Sequence, residues 1–140
     1  MTNHSYFNLA GHDYKDGVLD HVISINADAF TPSNERSVPT KEVKSVDLVP
    51  SMDLIKPKNL QTATEALGFA QGYTKEELSQ AINRQGRGGP PGPEGGLPLG
   101  FDYNWVGNDY QGPGHIRSVA KVYHPPSGRY MEVLTTMPGV

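Results

Sequence analysis

The chain has 140 residues, among them 16 glycines and 12 prolines, and its formal net charge is −3. This length fits one small domain or part of a larger one. A slightly acidic chain lacks the clustered positive charge by which nucleic-acid-binding domains contact phosphates, so no nucleic-acid partner is expected. The sequence has no cysteine, which excludes disulfides, thiol nucleophiles and cysteine-based zinc sites.

Membrane and secretory segments are not expected either. No apolar run in the sequence approaches the roughly 20 residues that a transmembrane helix needs. The first residues lack both the basic and the apolar region of a secretory signal. We therefore expect a cytoplasmic protein without a membrane partner.

Two segments in the first third of the chain alternate as half-buried strands do. In residues 21–27, isoleucine and alanine recur at every second position. In residues 42–49, Val46 and Leu48 share a face with charged residues, which is a weaker pattern. Both segments are predicted to be strands.

The middle of the chain has a helical pattern followed by a loop pattern. Thr74 and Glu77 have the spacing of a capping box, and apolar residues then recur at helical spacing across residues 75–84. We expect a short amphipathic helix there and a weaker one at residues 64–71. In residues 86–100, 11 of 15 positions are glycine or proline, which predicts a flexible surface loop.

The last part of the chain predicts a β-hairpin. Residues 116–122 and 130–135 alternate, and a Pro-Pro-Ser-Gly turn at residues 125–128 separates them. In the first of these strands, the alternation places Ile116 on one face with Ala120 and Val122, opposite Val119 and Lys121. It places Arg117 on the opposite face.

Histidines and carboxylates are the candidates for chemistry in a chain without cysteine. His4, His12 and His21 lie far apart in the sequence, and their spacing matches no known metal-ligand pattern. We therefore expect no metal site. His115 and His124 flank a strand, which indicates surface or turn positions.

The neighbours of His4 suggest a role in acid–base chemistry. Asn3, Ser5, Tyr6 and Asn8 surround it with hydrogen-bonding groups. Such neighbours can fix the tautomer and the ring orientation that a general acid requires. A purely structural role for this histidine is the alternative, since lone histidines often have one.

A second group of chemically suitable residues lies at residues 100–105, where three aromatic residues surround Asp102. Aromatic rings can cover the apolar C–H face of a sugar, while a carboxylate binds its paired hydroxyls. The alternative is an aromatic strand in the core of a β-sandwich.

Residues 2–11, Thr-Asn-His-Ser-Tyr-Phe-Asn-Leu-Ala-Gly, resemble the hallmark segment of the aldose 1-epimerase family. The resemblance covers nearly the whole chain except about residues 61–99, which we interpret as a helical and Gly/Pro-rich insertion in one partial domain, residues 1–140. Further segments agree with the family in their order, namely residues 25–28, 38–40, 52–54, 100–102, 127–129 and 135–140.

The resemblance implies an all-β fold, an antiparallel β-sandwich of the kind called a supersandwich. It also implies the interconversion of α and β anomers of free aldohexoses such as galactose and glucose, without metal or organic cofactor. His4 matches the family histidine that protonates the ring oxygen. Asp102 matches the aspartate that binds sugar hydroxyls.

The chain also departs from the family pattern. The family's upstream arginine and second histidine have no counterpart, and neither does its catalytic glutamate, so we expect a central fragment that is inactive alone. Lys41 replaces a usual glycine, and Tyr103 stands where histidine is common. A non-catalytic carbohydrate-binding β-sandwich protein derived from the same family is the alternative function.

Overall fold

A computed structural model describes residues 2–15, 17–34, 38–85 and 100–140. Seven strands and two α-helices lie within these ranges, together with two short 3-10 helices, Val46–Leu48 and Pro50–Met52. The α-helices are α1 (Leu60–Ala70) and α2 (Lys75–Gln85). The strands are β1 (Val22–Ile25), β2 (Ala29–Thr31), β3 (Lys44–Ser45), β4 (Lys58–Asn59), β5 (Asn104–Val106), β6 (Arg117–His124) and β7 (Arg129–Thr135).

The strands form two antiparallel sheets, with the orders β4–β1–β6–β7 and β3–β2–β5. The hydrophobic core takes side chains from both sheets and from α1, including Ile25, Phe30, Leu67, Trp105 and Ala120. The predicted all-β fold class is confirmed, since the described strands form two antiparallel sheets and the helices are few and short.

The predicted hairpin is present. Strands β6 and β7 pair from Arg117 and Thr135 to His124 and Arg129, and residues 125–128 form the turn between them. Gly128 has a positive φ of 70°, and its N–H donates to the carbonyl of His124 at 2.9 Å. Glycine suits this position because it adopts positive φ without steric cost.

The prediction of one strand over residues 42–49 is wrong in its second half. The strand ends at Ser45, whose side-chain oxygen accepts a hydrogen bond from the N–H of Asp47 at 3.2 Å and caps a 3-10 helix. With three residues per turn, positions two apart no longer share a face. Val46 is therefore 1% exposed, whereas Leu48 is 72% exposed.

The predicted alternation in β6 is also wrong at its start, because the strand contains a β-bulge. The register shifts between Ser118 and Ala120, which leaves Val119 as an extra residue. An extra residue reverses the alternation on one side of the bulge. Arg117 consequently lies in the interior, and Ile116 is 64% exposed.

Both predicted helices are confirmed. Helix α2 begins with the expected capping box, in which the side chain of Glu77 accepts from the N–H of Thr74 at 2.8 Å. Helix α1 begins four residues earlier than predicted, because the side chain of Asn59 caps it by accepting from the N–H of Thr62 at 3.2 Å. The predicted loop lies outside the described residues except for Gly100. None of the described helices is long and apolar enough to cross a membrane.

Candidate active site

His4 lies in a segment without regular secondary structure, residues 2–10, that precedes the first sheet. Its ring stacks on that of Tyr6, with centroids 4.8 Å apart and an interplanar angle of 29°. The hydroxyl of Ser5 donates to the side-chain oxygen of Asn3 at 2.8 Å. Residues 2–7 are all exposed. Their hydrogen bonds within the described structure join neighbours in the segment, so these contacts orient His4 only locally.

The segment is attached to the sheet at Leu9. The N–H of Leu9 donates to Nε2 of His21 at 3.0 Å. The carbonyl of Leu9 accepts from Nη1 of Arg129 at 2.7 Å and from the hydroxyl of Ser127 at 3.4 Å. Residues from β7 and from the β6–β7 turn therefore hold a peptide five positions after His4.

The aromatic segment at residues 101–105 is held against the protein by apolar packing instead. Phe101 and Tyr103 pack against the core, with ring centroids 5.6 Å and 6.4 Å from Trp105. The Trp105 Nε1–H donates to the carbonyl of Met52 at 3.1 Å. Trp105 thus belongs to the core, and Phe101 and Tyr103 pack against it while they also line the cleft described below. Asp102 is exposed and lies between the two half-buried rings.

One open cleft, with a volume of about 1840 Å³, runs between these two segments. Sequence neighbours of His4 and of Asp102 line the cleft. His4 and Asp102 themselves are not among its described lining residues. The structure therefore brings the two predicted site segments to one cleft. The lining residues adjacent to the two candidates are Asn3, Ser5, Phe101 and Tyr103.

A buried polar cluster of Asp20, His21 and His124 lies beside this cleft. Val22 pairs with Tyr123 between β1 and β6, so the next pair along the ladder is His21 and His124. Their rings lie 4.7 Å apart, and the two residues are 3% and 2% exposed. Sheet register therefore brings together two histidines that are far apart in the sequence.

Asp20 connects the members of this cluster. Its carboxylate lies 3.0 Å from Nδ1 of His21 and 3.0 Å from Nε2 of His124, and it accepts from the Tyr14 hydroxyl at 2.7 Å. Partial burial raises the pKa of Asp20. The hydrogen bonds from Tyr14, His124 and His21 lower it by more, and the net pKa lies below the ordinary value of 3.8. The carboxylate is therefore charged near neutral pH.

The hydrogen bonds indicate that protons shared between the three side chains, and not a metal ion, hold this cluster together. The ligand atoms of Asp20, His21 and His124 lie within 4.8 Å of one another, a combination that can bind a metal ion. However, Nε2 of His21 accepts the N–H of Leu9, so the proton of the neutral ring is on Nδ1. That Nδ1–H faces Asp20 and has no free electron pair for a metal.

The sequence analysis missed this cluster. His124 is buried, which contradicts its predicted surface or turn position, whereas His115 is exposed as expected. Within the described residues, the cluster around His21 includes neither His4 nor His12. The sequence did contain a signal, namely one histidine at the end of each of two predicted strands. That signal could be recognised only with the knowledge that β1 pairs with β6.

Comparison with known proteins agrees with the resemblance found in residues 2–11. The sequence model of the family aldose 1-epimerase matches residues 1–140. The chain is 36% identical to the galactose mutarotase of Bos taurus and 34% identical to those of Sus scrofa and Homo sapiens. Each match covers 100% of this chain and 31% of the length of the curated relative. Because the family match extends over its full length, this chain belongs to the aldose 1-epimerase family.

Proposed function

We propose that this chain supplies the general acid and a sugar-binding carboxylate to an enzyme that interconverts α and β anomers of free hexoses such as galactose and glucose. The cleft is the observation that carries the proposal, because the segments of His4 and Asp102 both contribute to its wall. The names of the relatives, galactose mutarotases, support a free sugar as substrate.

In this reaction His4 donates a proton to the ring oxygen while the bond from that oxygen to C1 breaks. A base removes the proton of the C1 hydroxyl, and the electrons of that O–H bond form the aldehyde carbonyl. The C1 end rotates, and the ring closes from the other face as both protons return. Only protons pass between the enzyme and the sugar, so the proposal includes neither a metal nor an organic cofactor.

The base in this proposal is the glutamate that the family resemblance implies, for which residues 1–140 have no counterpart. We accordingly expect the 140-residue chain alone not to accelerate mutarotation. The expectation is tested by polarimetry on freshly dissolved α-galactose with and without the purified chain. Acceleration above the buffer rate would assign the base to a residue of this chain.

The proposal also treats residues 1–140 as part of one cytoplasmic aldose 1-epimerase domain, with an insertion at about residues 61–99. Helix α1 contributes Ala63 and Leu67 to the hydrophobic core. Leu78 of α2 is 1% exposed and lies against Gly68 of α1. The insertion is therefore packed through both helices, and we expect only the part after α2 to be removable without unfolding the sheets. Deletion of residues 86–99, followed by a denaturation curve, tests this expectation. Cell fractionation tests the cytoplasmic location.

The acid role is tested in a hybrid in which residues 1–140 replace the matching part of bovine galactose mutarotase. His4→Gln retains hydrogen-bonding groups but removes the acid, so kcat is expected to fall by about 10²–10⁴-fold. His12→Gln is the matched control, since the His12 side chain is 92% exposed and pairs only with its neighbour Asp13 among the described residues. A normal kcat in His4→Gln would remove the acid role and favour the non-catalytic sugar-binding alternative.

The binding role is tested in the same hybrid with Asp102→Ala. Hydrogen bonds to a charged group contribute about 1.5–3 kcal/mol, so KM is expected to rise by roughly 10- to 150-fold. Asp13→Ala is the control, because that side chain is 90% exposed. Unchanged kcat and KM in Asp102→Ala would leave its segment with the role of an aromatic core strand alone.

A further inference from the structure

The peptide of Leu9 is the point at which the segment carrying His4 joins the folded sheet. Its N–H is bound by His21, and its carbonyl is bound by Ser127 and Arg129. We refer to these three residues as the Leu9 clamp. Residues 2–7 make hydrogen bonds only within their own segment among the described residues. The clamp, together with the hydrogen bond from the Asn8 side chain to the carbonyl of Gly17 at 3.3 Å, therefore sets where the segment begins its path along the cleft.

Apolar packing under this segment is incomplete. An apolar cavity of about 160 Å³ lies between the segment and the sheet, and Phe7 remains 60% exposed. A cavity deprives the side chains around it of van der Waals partners on one side. The hydrogen bonds of the Leu9 clamp are the directional contacts that hold this part of the segment. The cavity is lined by Phe7, Leu9, Val18, His21, Ile23 and Val122.

His21 can hold Leu9 in only one of its protonation states. The acceptor for the Leu9 N–H is the unprotonated Nε2, which requires a neutral ring with its proton on Nδ1. Asp20 favours that tautomer, since its carboxylate faces Nδ1 at 3.0 Å. The backbone of His21 is fixed as well, because its carbonyl accepts from the N–H of Leu60 at 2.8 Å, at the start of α1.

We propose that His21 is a positioning residue for His4: His21 holds the Leu9 peptide through Nε2, in the tautomer selected by Asp20, and thereby places the segment that carries His4 along the cleft. The catalytic part of this inference rests on the proposed role of His4 as the acid. The clamp itself does not, because its atoms and distances are independent of the reaction.

Two substitutions at His21 test the roles of its two ring nitrogens separately. In His21→Gln the end of the side chain can take the place of Nε2 and accept from Leu9. In His21→Asn the shorter side chain can take the place of Nδ1 and face Asp20, but it leaves the Leu9 N–H without an acceptor. Loss of one such bond corresponds to roughly tenfold in an equilibrium. Amide exchange of Leu9 in the 140-residue chain is therefore expected to be about tenfold faster in the asparagine variant and near normal in the glutamine variant.

The same pair is then compared kinetically in the bovine hybrid. Misplacement of the acid affects the chemical step, so we expect kcat to fall about tenfold in His21→Asn while KM changes by less than about twofold. His21→Gln is expected to restore kcat. A merely structural role would not distinguish the two variants, since each loses one buried hydrogen bond.

Arg129 provides a second variant that does not alter the buried cluster, because its side chain is exposed. Arg129→Met removes the charged donor to the Leu9 carbonyl and is expected to lower kcat several-fold. Lys121→Met is the matched control, since it removes one exposed positive charge from the neighbouring strand without contact to Leu9. Equal effects of the two methionine variants would overturn the clamp.

Two further results would overturn the proposal. One is equal behaviour of His21→Asn and His21→Gln in both measurements. The other is exchange of the wild-type Leu9 amide as fast as in an unstructured peptide. If His4→Gln lowers kcat but the clamp variants do not, the positioning role fails and the proposed function stands. If His4→Gln has no effect while Leu9 exchange follows the expected pattern, the acid role fails and the clamp stands.

Discussion

On one side of the cleft, Phe101, Tyr103 and Trp105 are attached to the protein by burial in its core. On the other side, residues 2–10 are attached by hydrogen bonds to the Leu9 clamp. We call these the aromatic wall and the histidine wall. Burial of apolar surface is non-directional and does not depend on protonation, whereas the hydrogen bonds of a histidine depend on its tautomer. The cleft therefore has one wall held by apolar packing and one wall held by hydrogen bonds, one of which depends on the tautomer of His21.

The difference matters for the chemistry proposed here. A ring that covers the C–H face of a sugar needs a fixed surface and little directional accuracy. An acid that protonates an ether oxygen must lie within hydrogen-bonding distance of it. The aromatic wall has one such directional contact, from Trp105 to the Met52 carbonyl, whereas the wall that carries His4 is held by the three hydrogen bonds of the Leu9 clamp.

The largest expected effect tests the aromatic wall. Trp105→Ala removes a 5% exposed ring from the core and its hydrogen bond to Met52, and such substitutions cost about 3–5 kcal/mol. Tyr130→Ala is the control, because Tyr130 is 56% exposed and should change stability by about 0.5 kcal/mol or less. Unfolding in urea measures both. Equal effects of the two variants would show that packing does not hold this wall.

The second prediction tests the histidine wall through pH. The pKa of Asp20 in the folded state lies below its ordinary value of 3.8, so the charged carboxylate stabilises the fold above about pH 4. That stabilisation is lost as the pH falls through the folded-state pKa. We expect Asp20→Asn to cost about 1–3 kcal/mol at pH 7 and progressively less below pH 4.

Urea unfolding of wild type and Asp20→Asn across this pH range measures the effect. Asp13→Asn is the control, since the Asp13 side chain is 90% exposed. A stability difference for Asp20→Asn that is the same at pH 7 and at pH 3 would contradict the prediction. Trp105→Ala, by contrast, should cost nearly the same at both values of pH.

The smallest expected effect concerns one donor of the histidine wall. Tyr14→Phe removes the hydroxyl that donates to Asp20 at 2.7 Å, which should cost about 0.5–1.5 kcal/mol. It should also raise the pKa of Asp20, because a hydrogen bond to the charged form is lost. Carbon NMR titration of the Asp20 carboxyl measures that shift. Tyr130→Phe, with its exposed ring, is the control and should leave the pKa of Asp20 unchanged.

Elements that depend on neighbouring residues could be predicted from the sequence. The capping box at Thr74 and Glu77 and the turn at residues 125–128 are encoded within four residues each, and both are confirmed. The family resemblance of residues 2–11 is equally local and is confirmed by the family match. The roles of His4 and Asp102 stay predictions.

Features that depend on distant residues could not be predicted in the same way. The bulge at Val119 arises from the pairing of β6 with β7, and the residues around it alone do not encode that register. The burial of His124 likewise depends on Asp20, which lies 104 positions earlier in the chain. Single-sequence periodicity contains no information about which strands pair, and this is why the buried cluster was missed.

The contacts of Leu9 also have a consequence for the order of folding. Leu9 is hydrogen-bonded to Ser127 and Arg129, which follow it by 118 and 120 positions. Contacts between such distant positions form late, since the entropy of closing a long loop must be overcome first. During synthesis the segment carrying His4 is made before the β6–β7 turn, so the partners of the Leu9 carbonyl exist only after that turn has been translated. The wall that carries the proposed acid is therefore made well before the residues that hold it in place.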